Sequence, residues 1–230
     1  MKYADFEQVI SAPRLGRYKL ACGNNTRKAM TLYRWNLQLS QELYTVVSCF
    51  EIAVRNAIDA HYTALLGRDW LRDAAVPGGI FDTPDCKYTA DTIQSALGKL
   101  SVARAPYTHH KLVAEMGFGF WRYLFAQHQF AAGHQILLQV FPAKPVSTVA
   151  IKYNQKFFFK QLAAINEVRN RMAHHEPICF RTGSATVDTG YVRRRYALLQ
   201  RLFQWMGIDE KDLLFGLDHI EAVCDKIDRL

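Results

Sequence analysis

In the stretch EVRNRMAHHEP, residues 167–177, an arginine (Arg169), an asparagine (Asn170) and a histidine (His174) crowd together just ahead of Pro177. At about 100° per residue, Asn170 and His174 stand at i and i+4 on one face of a helix. Arg169 lies about 140° from His174, within reach of its long side chain. Such a trio suits cleavage of an RNA backbone. The reaction needs a base for the 2′-hydroxyl proton or an acid for the leaving 5′-oxygen, and imidazole titrates near neutral pH. It also needs positive charge on the crowded phosphorane, which a planar guanidinium supplies bidentately. The amide of Asn170 is placed to orient the imidazole. This chemistry calls on no metal and no other cofactor. A zinc site is disfavoured because His174 and His175 point about 100° apart with no third ligand evident. The same residue types also satisfy the carbonyl dipole at an ordinary helix end, and the spacing alone leaves both readings open.

The helix that carries these residues is expected to run from a break at Phe141–Pro145, with Ser147 as its N-cap, to about Glu176. Pro177 disfavours helical geometry at Glu176 and so sets the end. His174 and His175 then occupy the last turn, where unpaired carbonyls favour positive charge, and Arg171 and His175 form a second i, i+4 pair on another side. Phe158, Leu162, Ile165 and Met172 step at helical intervals toward a core.

Helical periodicity extends over nearly the whole chain. From Met30 to Leu66, the residues Leu32, Trp35, Leu39, Leu43, Val46, Phe50, Val54, Ile58, Tyr62 and Leu65 form the stripe of one long amphipathic helix, stopped at Gly67. A short helix is expected between Ser11-Ala-Pro-Arg and the Gly23–Thr26 turn. Residues 67–87, with PGG and Pro84, read as an irregular connection. Helices follow over Tyr88–Ala103, then from an N-cap at Thr108 through LVAEMGFGFWRYLF, where Gly117 and Gly119 would allow close packing. Phe118, Phe120, Trp121, Tyr123, Leu124 and Phe125 read as core, as do Trp35 and Trp205, and His109-His110 as exposed. Residues 181–190 form a loop, and Tyr191–Met206 and Asp218–Arg229 close the fold. No run alternates as a strand would. The expected class is all-α, with seven or eight helices in one domain over residues 1–230.

Composition narrows the setting. Half of the 230 residues are apolar and 13% are aromatic, enough for a sizeable core and too many for a disordered chain. The five cysteines (Cys22, Cys49, Cys86, Cys179, Cys224) are scattered without a CxxC pair, as in a chain with reduced thiols in the cytoplasm. The best apolar run, LYTVVSCFEIAV, is broken by Glu51 and falls short of a membrane span. A net charge of +8 would draw a polyanion such as RNA. Arg193, Arg194 and Arg195, flanked by Tyr191 and Tyr196, are either phosphate and base contacts or the solvated face of a helix. A second Arg-Asn, in FEIAVRNAIDAH, is followed by His61. Arg55 and His61 would form another half-site, or Glu51, Arg55 and Asp59 an ion-pair ladder beside the apolar stripe.

The string RNRMAHHEPI, Arg169 to Ile178, resembles the R-N-x-x-x-H form of the Arg-x4-6-His signature of the HEPN superfamily, and specifically its Abi-like (abortive-infection) family. LGRYKLACGNNTRKAMTLYRWNLQLS, FEIAVRNAID and AEMGFGFWRYLF support the resemblance in chain order. It implies a HEPN-type helical bundle with additional terminal helices, acting as a metal-independent endoribonuclease, a toxin-like effector in bacterial anti-phage defence. Arg169 and His174 would be its catalytic pair, with Asn170 orienting them and His175 and Glu176 supporting. In the same pattern Glu51, Arg55 and Asn56 order the site. Related HEPN ribonucleases pair two motifs across a dimer, so a homodimer acting on RNA, restrained by an antitoxin protein or an inhibitory RNA, is the expected form. The alternatives are a non-catalytic RNA-binding or regulatory module, and a structural interaction domain in which His174 would be buried and paired within its own chain.

Overall fold

The long stripe closes into a helix of 41 residues, Thr26–Leu66, about 60 Å of continuous α-structure at 1.5 Å per residue. Asn25 caps its start, Oδ1 accepting the Lys28 N–H at 3.0 Å. Gly67, at φ +94°, turns the chain out of it. The structure is a computed structural model that describes residues 1–102 and 106–230. Among those residues the chain is all-helical. In order come α1 (Tyr3–Ile10), α2 (Ala12–Ala21), α3 (Thr26–Leu66), α4 (Trp70–Asp73), α5 (Lys87–Val102), α6 (His109–Glu115), α7 (Phe118–Tyr123), α8 (Gln127–Ala132), α9 (Gln155–Ala173), α10 (Gly190–Trp205), α11 (Glu210–Leu213) and α12 (Ile220–Asp228). Extended pairing among the described residues is confined to one isolated bridge, Phe180 to Val187.

The additional helices relative to the sequence reading are short: α1, α4, α8 and α11 carry too few turns for periodicity to register. The connection over 67–87 is interrupted by α4 and by a 3-10 turn at Pro84–Cys86. The expected end of α5 at Ala103 lies outside the described residues.

Three corrections have local causes. Thr108 does cap α6, accepting the Lys111 N–H at 3.3 Å, but the helix breaks at extended Met116 and Gly117. There the Trp121 indole bonds the Met116 carbonyl at 3.0 Å. Gly117 and Gly119 face open space and not a close-packed neighbour. Ser147 is no N-cap, since its hydroxyl accepts the Tyr153 N–H inside a loop and Asn154 caps α9 through the Phe157 N–H at 3.1 Å.

The helices are shared between two compact units, residues 1–48, 167–201 and 209–230 in the first and 49–166 with 202–208 in the second. The first is centred on Leu15, Tyr18, Leu39, Leu43, Val168, Phe180, Leu199 and Ile220, all buried, with the Tyr18 and Phe180 rings edge to face at 5.0 Å. The second is an aromatic core: Phe50 meets Phe203 at 5.3 Å and Phe141 stacks on Phe158 at 4.3 Å. Phe118, Trp121, Leu124 and Phe125 are buried there, while Phe120, Tyr123 and Trp205 are half-buried. His109 is a further correction, buried at 5% exposure. Its Nε2 lies 2.7 Å from Asp59 Oδ1, which also accepts the Trp70 indole N–H at 2.8 Å. Asp59 is thereby turned away from the expected ladder with Arg55. His110 is exposed.

Candidate functional site

The motif ends α9 one turn earlier than Pro177 alone predicts. The helix stops at Ala173 because His175 adopts a left-handed conformation, φ 56°. Its N–H bonds the Met172 carbonyl at 2.9 Å and the Glu176 N–H bonds the Arg171 carbonyl at 2.8 Å. These two bonds are a Schellman closure, which normally takes glycine at the left-handed position. His174, the residue just before it, keeps the helical bond from its N–H to the Asn170 carbonyl at 2.9 Å. Asn170 and His174 therefore remain stacked on the final turn, as their spacing predicts, and both are exposed, with Arg169 half-buried beside them. Among the described residues the His174 ring takes no hydrogen bond or ion pair, and the Asn170 amide makes no side-chain bond to it.

The left-handed turn overturns the expected pairing of Arg171 with His175. The Arg171 Nε instead contacts Glu176 Oε2 at 3.2 Å, its Nη2 donates to the Pro177 carbonyl at 2.9 Å, and its guanidinium lies over the Tyr191 ring at 4.6 Å. Glu176 supports the turn through that arginine, while His175, exposed, offers its carbonyl to Arg14.

The chain leaving the motif is held by residues that spacing did not single out. Asn36, buried at 3%, accepts the N–H groups of Ile178 and Cys179 at 2.9 and 3.2 Å. Arg17 donates to the Ser184 carbonyl at 2.7 Å and the Arg181 carbonyl at 2.9 Å, and its guanidinium sits over Phe180 at 4.5 Å. A signal for Asn36 was present, because it falls at i+4 from Leu32 on the core-facing stripe. It is Asn36, not the half-buried Trp35, that faces inward.

The remaining candidates divide between the units. Glu51, Arg55, Asn56 and His61 lie on the part of α3 that belongs to the second unit, where Arg55 Nε donates to Asn56 Oδ1 at 3.3 Å and His61 is half-buried. The three arginines of α10 have separate fates in the first unit. Arg193 is clamped by Glu221, by Asp225 at 2.8 Å and by Asp228 at 3.1 Å, contacts led by Asp225 that push its guanidinium pKa up. Arg195 pairs with Glu167 at 3.2 Å and covers Tyr191 at 4.9 Å. Arg194 is exposed.

Burial pushes the Cys179 thiol up to about 12, which keeps it neutral and unreactive beside the motif. No described helix is long and apolar enough to cross a membrane.

Compared with known proteins, the chain matches the family model described as Abi-like protein over residues 3–179. No curated protein and no solved structure gives a significant match.

Proposed function

The chain belongs to the Abi-like protein family, and from that membership we propose that it is a metal-independent endoribonuclease of HEPN type, a toxin-like effector of abortive infection. The observation that carries this reading is the exposed, unpartnered imidazole of His174 on the last turn of α9, stacked beyond Asn170 and beside Arg169. A purely structural role would place His174 in the interior with a partner. An unpartnered ring at the surface is available to a phosphodiester.

In this mechanism His174 takes the 2′-hydroxyl proton or protonates the departing 5′-oxygen, and Arg169 holds the phosphorane oxygens. Asn170 orients the substrate-bound imidazole. His175 and Glu176 act on the backbone turn that positions these groups, and Glu51, Arg55 and Asn56 are assigned supporting roles. The active form is a homodimer that brings two copies of the motif to one RNA, held in check by an antitoxin protein or an inhibitory RNA.

The test uses purified protein and a chelator-treated RNA cleavage assay. His174→Ala abolishes cutting, a loss of about 10²- to 10⁴-fold for one acid–base group, with helicity and oligomeric state unchanged. A variant that cuts like the parent refutes the assignment. RNA affinity retained by a parent chain that never cuts would instead favour a non-catalytic RNA-binding module.

A further inference from the structure

A second feature of the molecule lies in the unit that does not carry His174. Between α5 and α7 the surface opens into a recess of about 360 Å³ walled by Tyr88, Phe120, Tyr123, Arg122 and Thr89. Tyr88 is 75% exposed, and the rings continue as a ladder, Tyr88 to Tyr123 at 6.3 Å and Tyr123 to Phe159 at 6.4 Å. The Arg122 guanidinium covers Phe159 at 4.8 Å.

Two polar atoms in these walls have no partner: Arg122 Nε and the hydroxyl of Thr89, a residue only 2% exposed. Both atoms are closed off by the surrounding wall, so the group left to meet a ligand is the half-buried Arg122 guanidinium, which suits one with hydrogen-bonding edges and a flat face. Among the described residues no carboxylate pairs with Arg122.

Gly119 supplies a third observation. It is the second residue of α7. Neither a left-handed φ nor a close neighbour requires it, since a side chain there would meet nothing within 4 Å. What glycine does at this position is leave the recess open. An adjoining recess of about 280 Å³ shares Tyr88, Thr92 and Phe120 and carries Lys99 and Ser95, along with Glu115 and Asp91. Asp91 is neutralised by Lys87 at 3.1 Å. Two recesses meeting at common aromatic walls fit two successive bases.

We propose that this aromatic recess binds unpaired nucleobases of a single RNA strand, stacking them on Tyr88, Phe120 and Tyr123 while the Arg122 guanidinium contacts the base edge. The proposal rests on the RNA-cleaving reading, in which it is a substrate-anchoring site separate from the scissile phosphate. Stacking on aromatic faces is the usual means of holding single strands, and a paired base cannot enter.

The experiment measures binding by fluorescence anisotropy with a labelled oligoribonucleotide whose 2′-hydroxyls are methylated, so that 2′-hydroxyl attack cannot consume it. The parent should bind this strand more tightly than the same strand in a duplex, and more tightly than adenosine or uridine monophosphate. Gly119→Leu, which fills the recess, and Tyr88→Ala, at an exposed position, should each weaken strand binding about tenfold, the effect of one lost stacking contact. Thermal melts check that both variants fold. Strand affinity equal to the parent's in both folded variants overturns the site, and mononucleotide binding as tight as strand binding overturns the strand as its ligand. Cleavage separates this from the reading on which it rests. If His174→Ala still cuts, the catalytic assignment fails whatever the recess does. If Gly119→Leu and Tyr88→Ala both bind normally while His174→Ala is inert, the recess alone fails.

Discussion

The side-chain oxygen of Asn36 accepts two backbone N–H groups, those of Ile178 and Cys179, and so ties the middle of the first unit's longest helical segment to the chain that leaves the His174 turn. All three residues are buried. Replacing Asn36 with leucine keeps the volume but strands both donors without water. Each unsatisfied group costs about 1–3 kcal/mol, so Asn36→Leu should lower stability by about 3 kcal/mol in urea denaturation. RNA cleavage should fall even at temperatures where the variant stays folded, because the turn carrying His174 loses its anchor.

His175 holds a left-handed backbone that glycine adopts without penalty. A side chain in that conformation costs about 1 kcal/mol. His175→Gly should therefore raise stability by about that amount. The measurement is the denaturation midpoint alongside RNA cleavage. Cleavage that survives confines His175 to closing the helix, whereas cleavage that is lost gives its imidazole a part in the chemistry.

Alkaline pH should destabilise the first unit. Burial raises the Cys179 thiol from 9.0 to about 12 and lifts the Tyr18 phenol from 10.0 in the same direction. Both groups are neutral when protonated. In the unfolded chain they ionise near their ordinary values, so the unfolded state binds fewer protons than the folded one above about pH 9. The stability they contribute is complete below that pH and is lost as pH rises toward the folded values. Urea midpoints should stay level through neutrality and fall from about pH 9 upward, and the doubly substituted Tyr18→Phe, Cys179→Ala should show a flatter decline.

Arg193 and Arg194 are neighbours that should behave oppositely. Arg193 is engaged by three carboxylates of α12, so Arg193→Met should cost about 1 kcal/mol, an effect that shrinks in high salt. Its RNA affinity should hardly change. Exposed Arg194→Ala should leave stability within about 0.5 kcal/mol and, if it meets phosphate, reduce the salt slope of RNA binding by about one. Titration of binding against salt concentration distinguishes the two.

The helical class and the long α3 were readable because a 3.6-residue period repeats from Leu32 to Leu65 and Gly67 is the residue that ends it. The stacking of Asn170 on His174 was readable for the same reason, since one turn of helix suffices to define it. Short elements such as α8 and α11 were not, because their few turns carry no statistical period. The break at Met116 was hidden as well: it depends on the Trp121 indole reaching the Met116 carbonyl, a contact that no local pattern announces.

By itself the sequence determined the residue types of the candidate site, the face that Asn170 and His174 share, and the family to which the chain belongs. The first two follow from helical geometry and the order of side chains along one segment, and the family from segments spread over residues 3–179. Tertiary structure alone decided that His174 is free at the surface, that Arg193 is clamped while Arg194 is open, and that His109 lies inside against Asp59. Exposure and partnership depend on which distant segments arrive beside a residue. For His109 that segment is fifty positions away along the chain, and for Ile178 the anchoring amide comes from Asn36, 142 positions before it.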